Sequence, residues 1–384
     1  MRQAGHDLEV VRGSASRARP NVRRLAAFAK VHKCPTATLA FVAGVDTNRV
    51  FAGTAYEVPF GQSPFAIGRG IAFEKLLRDH GHAELRRVLT EGLGVDFSLA
   101  AVENLRQGFQ PSRTGLLMRA NVTASRIREV GDGAPSPIIL DGAVLRAEIG
   151  GVEAFFEADE MAIGVDGAIL VGENKSWPVI DGRPSDPDAL GSALDQAATY
   201  VLLGRWAAER VGVDPAVVSG EVVIITPRNT GLSPVLHRQK VDARVRRVER
   251  LLAAVPSTSE IVARLPTGVS FGEVADPGAS EQERLEAFAD LADRVGTVYE
   301  PGNCLSSCGF ARACRQCAFG SGSPSIAGSQ VASVLPGVAT LGRVAELGRG
   351  APASIAEAPT AGPIARAGRL YEEVFVPAPS RRPA

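Results

Sequence analysis

The sequence predicts an α/β protein, a mixed sheet flanked by helices. Three observations predict it. Short apolar runs bounded by turn residues crowd the stretch from 138 to 175. A further buried run, Glu221 to Thr226, follows later in the chain. Helical patterns at Ile71 to Leu89 and Asp186 to Arg210 lie on either side of the first strand group. Apolar runs with strand and helix periods in alternation read as a sheet with helices packed on it.

In chain order, residues 1–30 carry Arg17, Arg19, Arg23, Arg24 and Lys30, with Lys33 just beyond, and read as a basic, weakly ordered arm. Ile71 to Leu89 reads as a helix in which Gly81 is a break. Gly, Pro and Ser make 108–137 loop-rich. Three strands are expected next, at Ile138–Leu140, Val144–Ile149 and Glu153 to Ile163, and a fourth ends at Lys175. Asp186 is placed to cap a helix whose first turn holds Pro187, where a missing N–H costs nothing. Helices are expected near 241–254 and 280–295. Gly320 to Ser329 reads as linker, and the rest as an Ala/Pro/Gly-rich tail with one amphipathic patch near Val338–Leu347. Within that tail, Leu335-Pro336-Gly337-Val338 is also readable as a small backbone-binding hairpin, though a flexible tail is the plainer reading. The expected organisation is an arm over 1–30, one domain over 31–319, and a linker and tail over 320–384.

The bulk numbers bound the function loosely. Net charge is zero, which neither suggests nor excludes nucleic acid, because a local basic stripe hides in a neutral total. The first thirty residues are too charged for a secretory signal. No apolar stretch reaches the roughly 20 residues that span a bilayer. The expectation is a cytoplasmic protein with no membrane partner. In a reducing compartment, clustered cysteines point to metal rather than to disulfides. No Gly-x-x-x-x-Gly-Lys phosphate loop is present, so any helicase would be a separate partner.

Glu173-Asn174-Lys175 is the only place where an acidic residue stands two before a lysine, and only five of the 42 basic residues are lysine. Asp159 lies fourteen positions upstream of Glu173. Taking Val165-Asp166-Gly167 as a three-residue hairpin loop, with Gly167 left-handed, sets Ile163 opposite Ile169 and Met161 opposite Val171. The same register sets Asp159 opposite Glu173 and Glu157 opposite Lys175, all on one face. A two-residue loop would set Asp159 opposite Asn174 and split the group between faces. Two close carboxylates repel unless a cation lies between them. Mg²⁺ or Mn²⁺ held by Asp159, Glu173 and the Asn174 main-chain carbonyl would answer that repulsion. Lys175 would orient water and offset charge in the transition state. Taken alone, Glu-x-Lys is equally an ordinary hairpin with a Glu157–Lys175 surface pair. Gln196 and Tyr200 share a helix face and are candidates to hold substrate phosphate. Glu74, in the early helix, is a candidate further oxygen ligand.

Cys304, Cys308, Cys314 and Cys317 fall within fourteen residues, and Cys34 stands far upstream. A zinc site would use the four clustered thiols. An iron–sulfur cluster would take three of them plus Cys34, stapling the start of the chain to its end.

Together these residues resemble the RecB-like branch of the PD-(D/E)xK nuclease superfamily, which includes the RecB and AddB nuclease domains and the CRISPR-associated RecB-like exonucleases. The resemblance runs from about Cys34 to Cys317. Gly70 to Glu74 is similar to the family's Gly-x-x-x-His helix, with Glu in place of His. Asp159 corresponds to its metal-binding Asp, Glu173 and Lys175 to its Glu/Asp-x-Lys, and Gln196 and Tyr200 to its Gln-x-x-x-Tyr. The resemblance implies a restriction-endonuclease-like sheet and a structural 4Fe–4S cluster on Cys34, Cys304, Cys308 and Cys314, with Cys317 spare or a substitute. It implies a metal-dependent nuclease acting on DNA single strands or ends. The rival expectation is a non-catalytic nucleic-acid-binding protein that keeps the fold and its iron–sulfur or zinc site.

Overall fold

The structure is a computed structural model that describes residues 2–18, 21–58, 64–133, 137–180, 183–229 and 231–375. Arg19 of the expected arm, residues 134–136 of the loop-rich stretch and residues 376–384 of the tail lie outside the described residues. The chain divides into two compact units. One comprises Arg19–Ala29 and Gly61–Ile261; the other comprises Met1–Ala18, Lys30–Phe60 and Val262–Ala384.

Among the described residues the first unit carries ten strands: β1 (Ala101–Asn104), β2 (Ile138–Asp141), β3 (Val144–Ile149), β4 (Val152–Glu157), β5 (Glu160–Val165), β6 (Ala168–Asn174), β7 (Val179–Ile180), β8 (Arg183–Pro184), β9 (Val218–Pro227) and β10 (Pro234–Lys240). Six of them form a mixed sheet in the order β1-β2-β5-β6-β9-β10. β1/β2 and β6/β9 are parallel, and the other neighbours are antiparallel. The expected mixed sheet with flanking helices is therefore present.

Strand alternation gives the sheet two apolar faces. On one, Phe73, Leu77, Leu85, Val88 and Leu89 of helix Pro64–Leu93 pack on Ile139, Ala162, Leu170, Val223 and Ile225. On the other, helix Pro187–Arg210 lies along β3, β6 and β9. Asp186 caps that helix as expected, accepting from the Ala189 N–H at 2.9 Å. The break expected at Gly81 is real: Asp79, His80, Gly81 and His82 leave helical geometry, the last three with positive φ.

Two expectations need correction in this unit. The strand expected over Glu153 to Ile163 is two strands. β4 pairs with β3 and β5 with β2, and the chain turns a corner at Ala158-Asp159. The corner is matched on the opposite strand by Gly142, whose φ of 75° is cheap only for glycine. Across it, the Gly142 N–H donates to the Asp159 carbonyl and the Ala158 N–H to the Ala143 carbonyl, both at 2.9 Å. The stretch 108–137 is not mainly loop but holds helix Arg113–Gly131, capped by Ser112. Its Gly and Ser residues mask a buried stripe, Ala120, Thr123, Ile127 and Val130.

The second unit joins the start of the chain to its end. Helix Glu281–Val295 opens on a capping box between Ser280 and Glu283. Its Phe288 lies 5.6 Å from Phe51 and 5.2 Å from Phe310, ring centre to ring centre. Gly309 has no room for a side chain, since a Cβ there would lie 2.0 Å from the Thr47 carbonyl oxygen. The arm expected to be weakly ordered carries helix Arg2–Arg12 in this unit and helix Val22–Val31, most of which belongs to the first unit. Leu8, Val11, Val22, Leu25 and Phe28 are buried, a spacing of three that the surrounding arginines obscure in sequence. The expected linker and tail are likewise largely helical, with Leu341–Gly348 and Ala358–Phe375 packed together.

Candidate active site

The β5–β6 hairpin fixes the geometry. Its loop has two residues, Asp166 (φ 51°) and Gly167 (φ 74°), not the expected three. Two positive-φ residues in a two-residue loop suit the right-handed strand twist. Such a loop would move the register by one, but an irregularity at Gly164 (φ 83°) moves it back. Met161 therefore pairs with Val171 and Glu160 with Gly172, the register expected from the apolar pattern.

Asp159 stands one residue before β5, at the corner. Its Oδ2 accepts from the Asn174 N–H at 2.9 Å, taking the place of a strand carbonyl at the end of the ladder. Glu173 is 3% exposed. Lys175 Nζ pairs with Glu173 Oε1 and also donates to Gln196 Oε1 at 3.3 Å. The Lys175 N–H donates to the Ile225 carbonyl at 2.9 Å, so β9 anchors its backbone. Asp159, Glu173, Lys175 and Gln196 thus meet, delivered by β5, β6 and the helix after them.

The other candidates go elsewhere. The Tyr200 hydroxyl donates to the Glu157 main-chain carbonyl at 2.5 Å, which ties the helix to the end of β4. Glu157 pairs with Arg106 at 3.0 Å and Arg119 at 2.7 Å rather than with Lys175. Glu74 is half exposed and pairs with Arg78 at 3.1 Å. Its helix nonetheless passes the loop after Lys175, where Arg69 Nε donates to the Ser176 carbonyl at 2.8 Å.

A polar cluster that the sequence did not announce surrounds Asp141 at the end of β2. Arg78 Nε, His82 Nε2 and Arg106 Nη1 reach its carboxylate at 3.3, 3.0 and 3.2 Å. Arg106 also lies 3.9 Å from Asp159. The break at Gly81 lets Arg78 and His82, on either side of it, meet one carboxylate. That break was the only sequence signal of the cluster.

Burial dominates the electrostatics. It pushes the Glu173 carboxyl up to about 7, with the Asp159 charge adding and Lys175 and Arg23 opposing. Glu160 is raised well above its ordinary value by burial, then by Asp159, against the hydrogen bond from Asn174. Tyr200 is raised by burial and then by Glu173. Three buried oxygens, Glu173 Oε2, Glu160 Oε1 and Asn174 Oδ1, have no hydrogen-bond partner among the described residues. A buried unpaired carboxylate oxygen is costly.

Among the described residues, no group of three or more His, Cys, Asp or Glu side chains is arranged to hold a metal ion. Asp159 Oδ2 is taken by a backbone N–H and Glu173 Oε1 by Lys175, which leaves Glu173 Oε2 unpartnered among the described residues and Asp159 Oδ1 facing Arg106 at 3.9 Å.

The cysteines lie in the other unit. Cys34 precedes helix Pro35–Val42, and Cys304, Cys308 and Cys314 lie on or beside helices Pro301–Ser307 and Ala311–Gly320. The charge of Cys34 acts on Cys304, Cys308 and Cys314. Cys317 adds to the rise of Cys314. Burial raises all three of Cys304, Cys308 and Cys314, Cys308 to about 12. Backbone N–H groups of Val298 and Glu300 point at Cys34 Sγ and Cys304 Sγ at 3.5 and 3.3 Å. Cys314 and Cys317 line a cavity of about 730 Å³.

No known family, curated protein or solved structure matches the chain. No helix among the described residues is long and apolar enough to cross a membrane.

Proposed function

We propose that the chain is a Mg²⁺- or Mn²⁺-dependent nuclease that hydrolyses DNA phosphodiester bonds on a restriction-endonuclease-like sheet. The observation that carries this reading is Glu173. It is a buried carboxylate with one oxygen on Lys175, the other unpartnered, and Asp159 beside it. An unpaired buried carboxylate oxygen beside a second carboxylate is costly, and a cation there would offset that cost. Asp159, Glu173 and the Asn174 main-chain carbonyl are the groups that would hold the ion. A bound divalent ion supplies an acidified water and a polarised phosphate.

The chain's own residues supply the rest. Lys175 Nζ, held between Glu173 and Gln196, is placed to hydrogen-bond a water or a phosphate oxygen. Gln196 fixes the lysine rather than touching substrate directly. Tyr200 holds the β4 end, and with it the corner that carries Asp159. Arg78 and Arg106 lie at the same edge of the sheet, where they are paired with Glu74, Asp141 and Glu157.

In the second unit, the same reading assigns Cys34, Cys304, Cys308 and Cys314 to a structural 4Fe–4S cluster, with Cys317 outside it. Thiols that burial keeps protonated become thiolates when a metal compensates the charge. The backbone N–H groups aimed at two of the sulfurs favour that state.

The test uses labelled single-stranded DNA with purified full-length protein and Mn²⁺. Cleavage is expected, and both Asp159→Ala and Lys175→Ala are expected to lose at least ~10²-fold in rate while remaining folded. Undiminished cutting by both variants removes the catalytic assignment. DNA that is shifted but never cut by the wild type points instead to a binding protein.

A further inference from the structure

The face that carries Glu173 and Lys175 is one side of the sheet end. The other side holds an arrangement with no ordinary structural purpose. Glu160 is 2% exposed and sits opposite Gly172. Its Oε2 accepts from Asn174 Nδ2 at 2.6 Å. Its side chain lies across position 172, where an added Cβ would come within 2.6 Å of Glu160 Cγ and Oε1. Only glycine leaves that path open.

Asn174 is therefore held twice. Its side chain is held from behind by Glu160, and its main-chain N–H in front by Asp159 at 2.9 Å. The two holds come from consecutive residues. They act where β6 has run past the start of β5 and keeps only β9 as a strand neighbour, through the Lys175 N–H on Ile225. Without them, the peptide between Glu173 and Lys175 is tethered on one side alone.

Stability does not ask for a carboxyl at 160. Its neighbours on that face are the core residues Ala162 and Leu170 and the buried Asp141 paired with it on β2, and a carboxyl there buries an unpaired oxygen beside another acid where an apolar side chain would not. We infer that Glu160 is a positioning residue: it braces Asn174 from the reverse face of the sheet and so sets the Asn174 carbonyl, Glu173 and Lys175 for a divalent cation on the front face. This rests on the metal-dependent reading proposed above.

The test measures Mn²⁺ binding calorimetrically on the full chain, and cleavage as a function of Mn²⁺, for Glu160→Gln, Glu160→Leu and Asn174→Ala. Circular dichroism checks the fold of each. Glu160→Gln keeps a carbonyl that accepts from Asn174 and is expected to bind Mn²⁺ within about twofold of wild type. Glu160→Leu is expected to weaken Mn²⁺ binding about 10–100-fold, with the cleavage rate recovering as Mn²⁺ is raised. Asn174→Ala keeps the main-chain carbonyl, removes the brace from its other end, and is expected to show the same loss. It carries the test if Glu160→Leu does not fold. Wild-type Mn²⁺ affinity in Glu160→Leu, or in Asn174→Ala, overturns the inference and leaves the nuclease reading standing. Brace-dependent Mn²⁺ binding without DNA cleavage by the wild type overturns the nuclease reading and supports the inference. A wild type that binds no Mn²⁺ overturns both.

Discussion

Replacing Glu173 with Gln is expected to stabilise the metal-free protein at alkaline pH while abolishing its activity. The sign follows from proton linkage. Glu173 has a folded-state value of about 7 against an ordinary carboxyl value of 4.5. Between these values the folded state holds a proton that the unfolded state has lost, so stability falls as pH rises. Above about pH 7 the penalty is complete, and below about pH 4.5 it is absent. The gap of about 2.5 units corresponds to about 3 kcal/mol. Glutamine removes the ionisation but gives Lys175 a weaker partner, so the net gain at pH 8 is about 1–3 kcal/mol. For a domain of this size that is a rise of roughly 2–12 °C in melting temperature. The assay is thermal unfolding in EDTA at pH 8 and pH 5 for wild type and Glu173→Gln. The gain is expected at pH 8 and to shrink towards pH 5. A variant that melts below wild type at pH 8, or whose gain does not depend on pH, refutes the reasoning. Adding Mn²⁺ at pH 8 is expected to raise wild type and leave the variant nearly unmoved, because binding to the folded state alone stabilises it.

Two further predictions follow from the hairpin and from the thiols. Deleting Gly164 removes the irregularity and leaves a two-residue loop, so every β5 side chain upstream changes face. Cleavage is expected to fall below detection, and the variant is expected to lose several kcal/mol in urea unfolding as Met161 and Ala162 exchange sides. Anaerobically purified wild type is expected to absorb broadly near ~400 nm as iron–sulfur proteins do. Cys34→Ser is expected to lose that band and its iron, while Cys317→Ser keeps both. Zinc at one ion per chain, retained by Cys34→Ser and lost by Cys317→Ser, would replace this ligand set by the four clustered cysteines.

The sequence revealed what depends on neighbours along the chain. The facing of Met161 with Val171 follows from apolar alternation. The helix after Asp186 follows from its cap and Pro187, and the break at Gly81 from a glycine inside a helical pattern. These are local rules, and the structure obeys them. What stayed hidden depends on the third dimension. The bulge at Gly164 was invisible because a three-residue loop and a two-residue loop plus a bulge give the same register. The corner at Asp159 was hidden inside a continuous strand pattern, since nothing in Phe156-Glu157-Ala158-Asp159 announces a change of partner strand. Glu74 was read towards the carboxylates, but Arg78, one turn on, takes it first. Tyr200 shares a face with Gln196, yet one turn of helix carries its hydroxyl to a backbone carbonyl. Nothing in the sequence singles out Glu160, because only the folded sheet shows that Gly172 leaves it room.

The two glycines at the hairpin therefore have different jobs, and both bear on the same four side chains. Gly164 corrects the register, so that Asp159 and Glu173 share a face. Gly172 leaves the reverse face open, so that Glu160 reaches Asn174. A hairpin selected for stability alone would carry neither, because β-branched residues at both positions pair and pack better in a strand interior. Local departures from good strand chemistry, concentrated around one buried carboxylate and one lysine, are the pattern expected where function rather than stability sets the residue. The same reasoning separates this corner from the Arg106–Glu157–Arg119 pairs beside it. There Glu157 has both carboxylate oxygens paired, Oε1 with Arg106 and Oε2 with Arg119, although Arg119 Nε finds no partner among the described residues. Glu173 Oε2 is without a partner among the described residues.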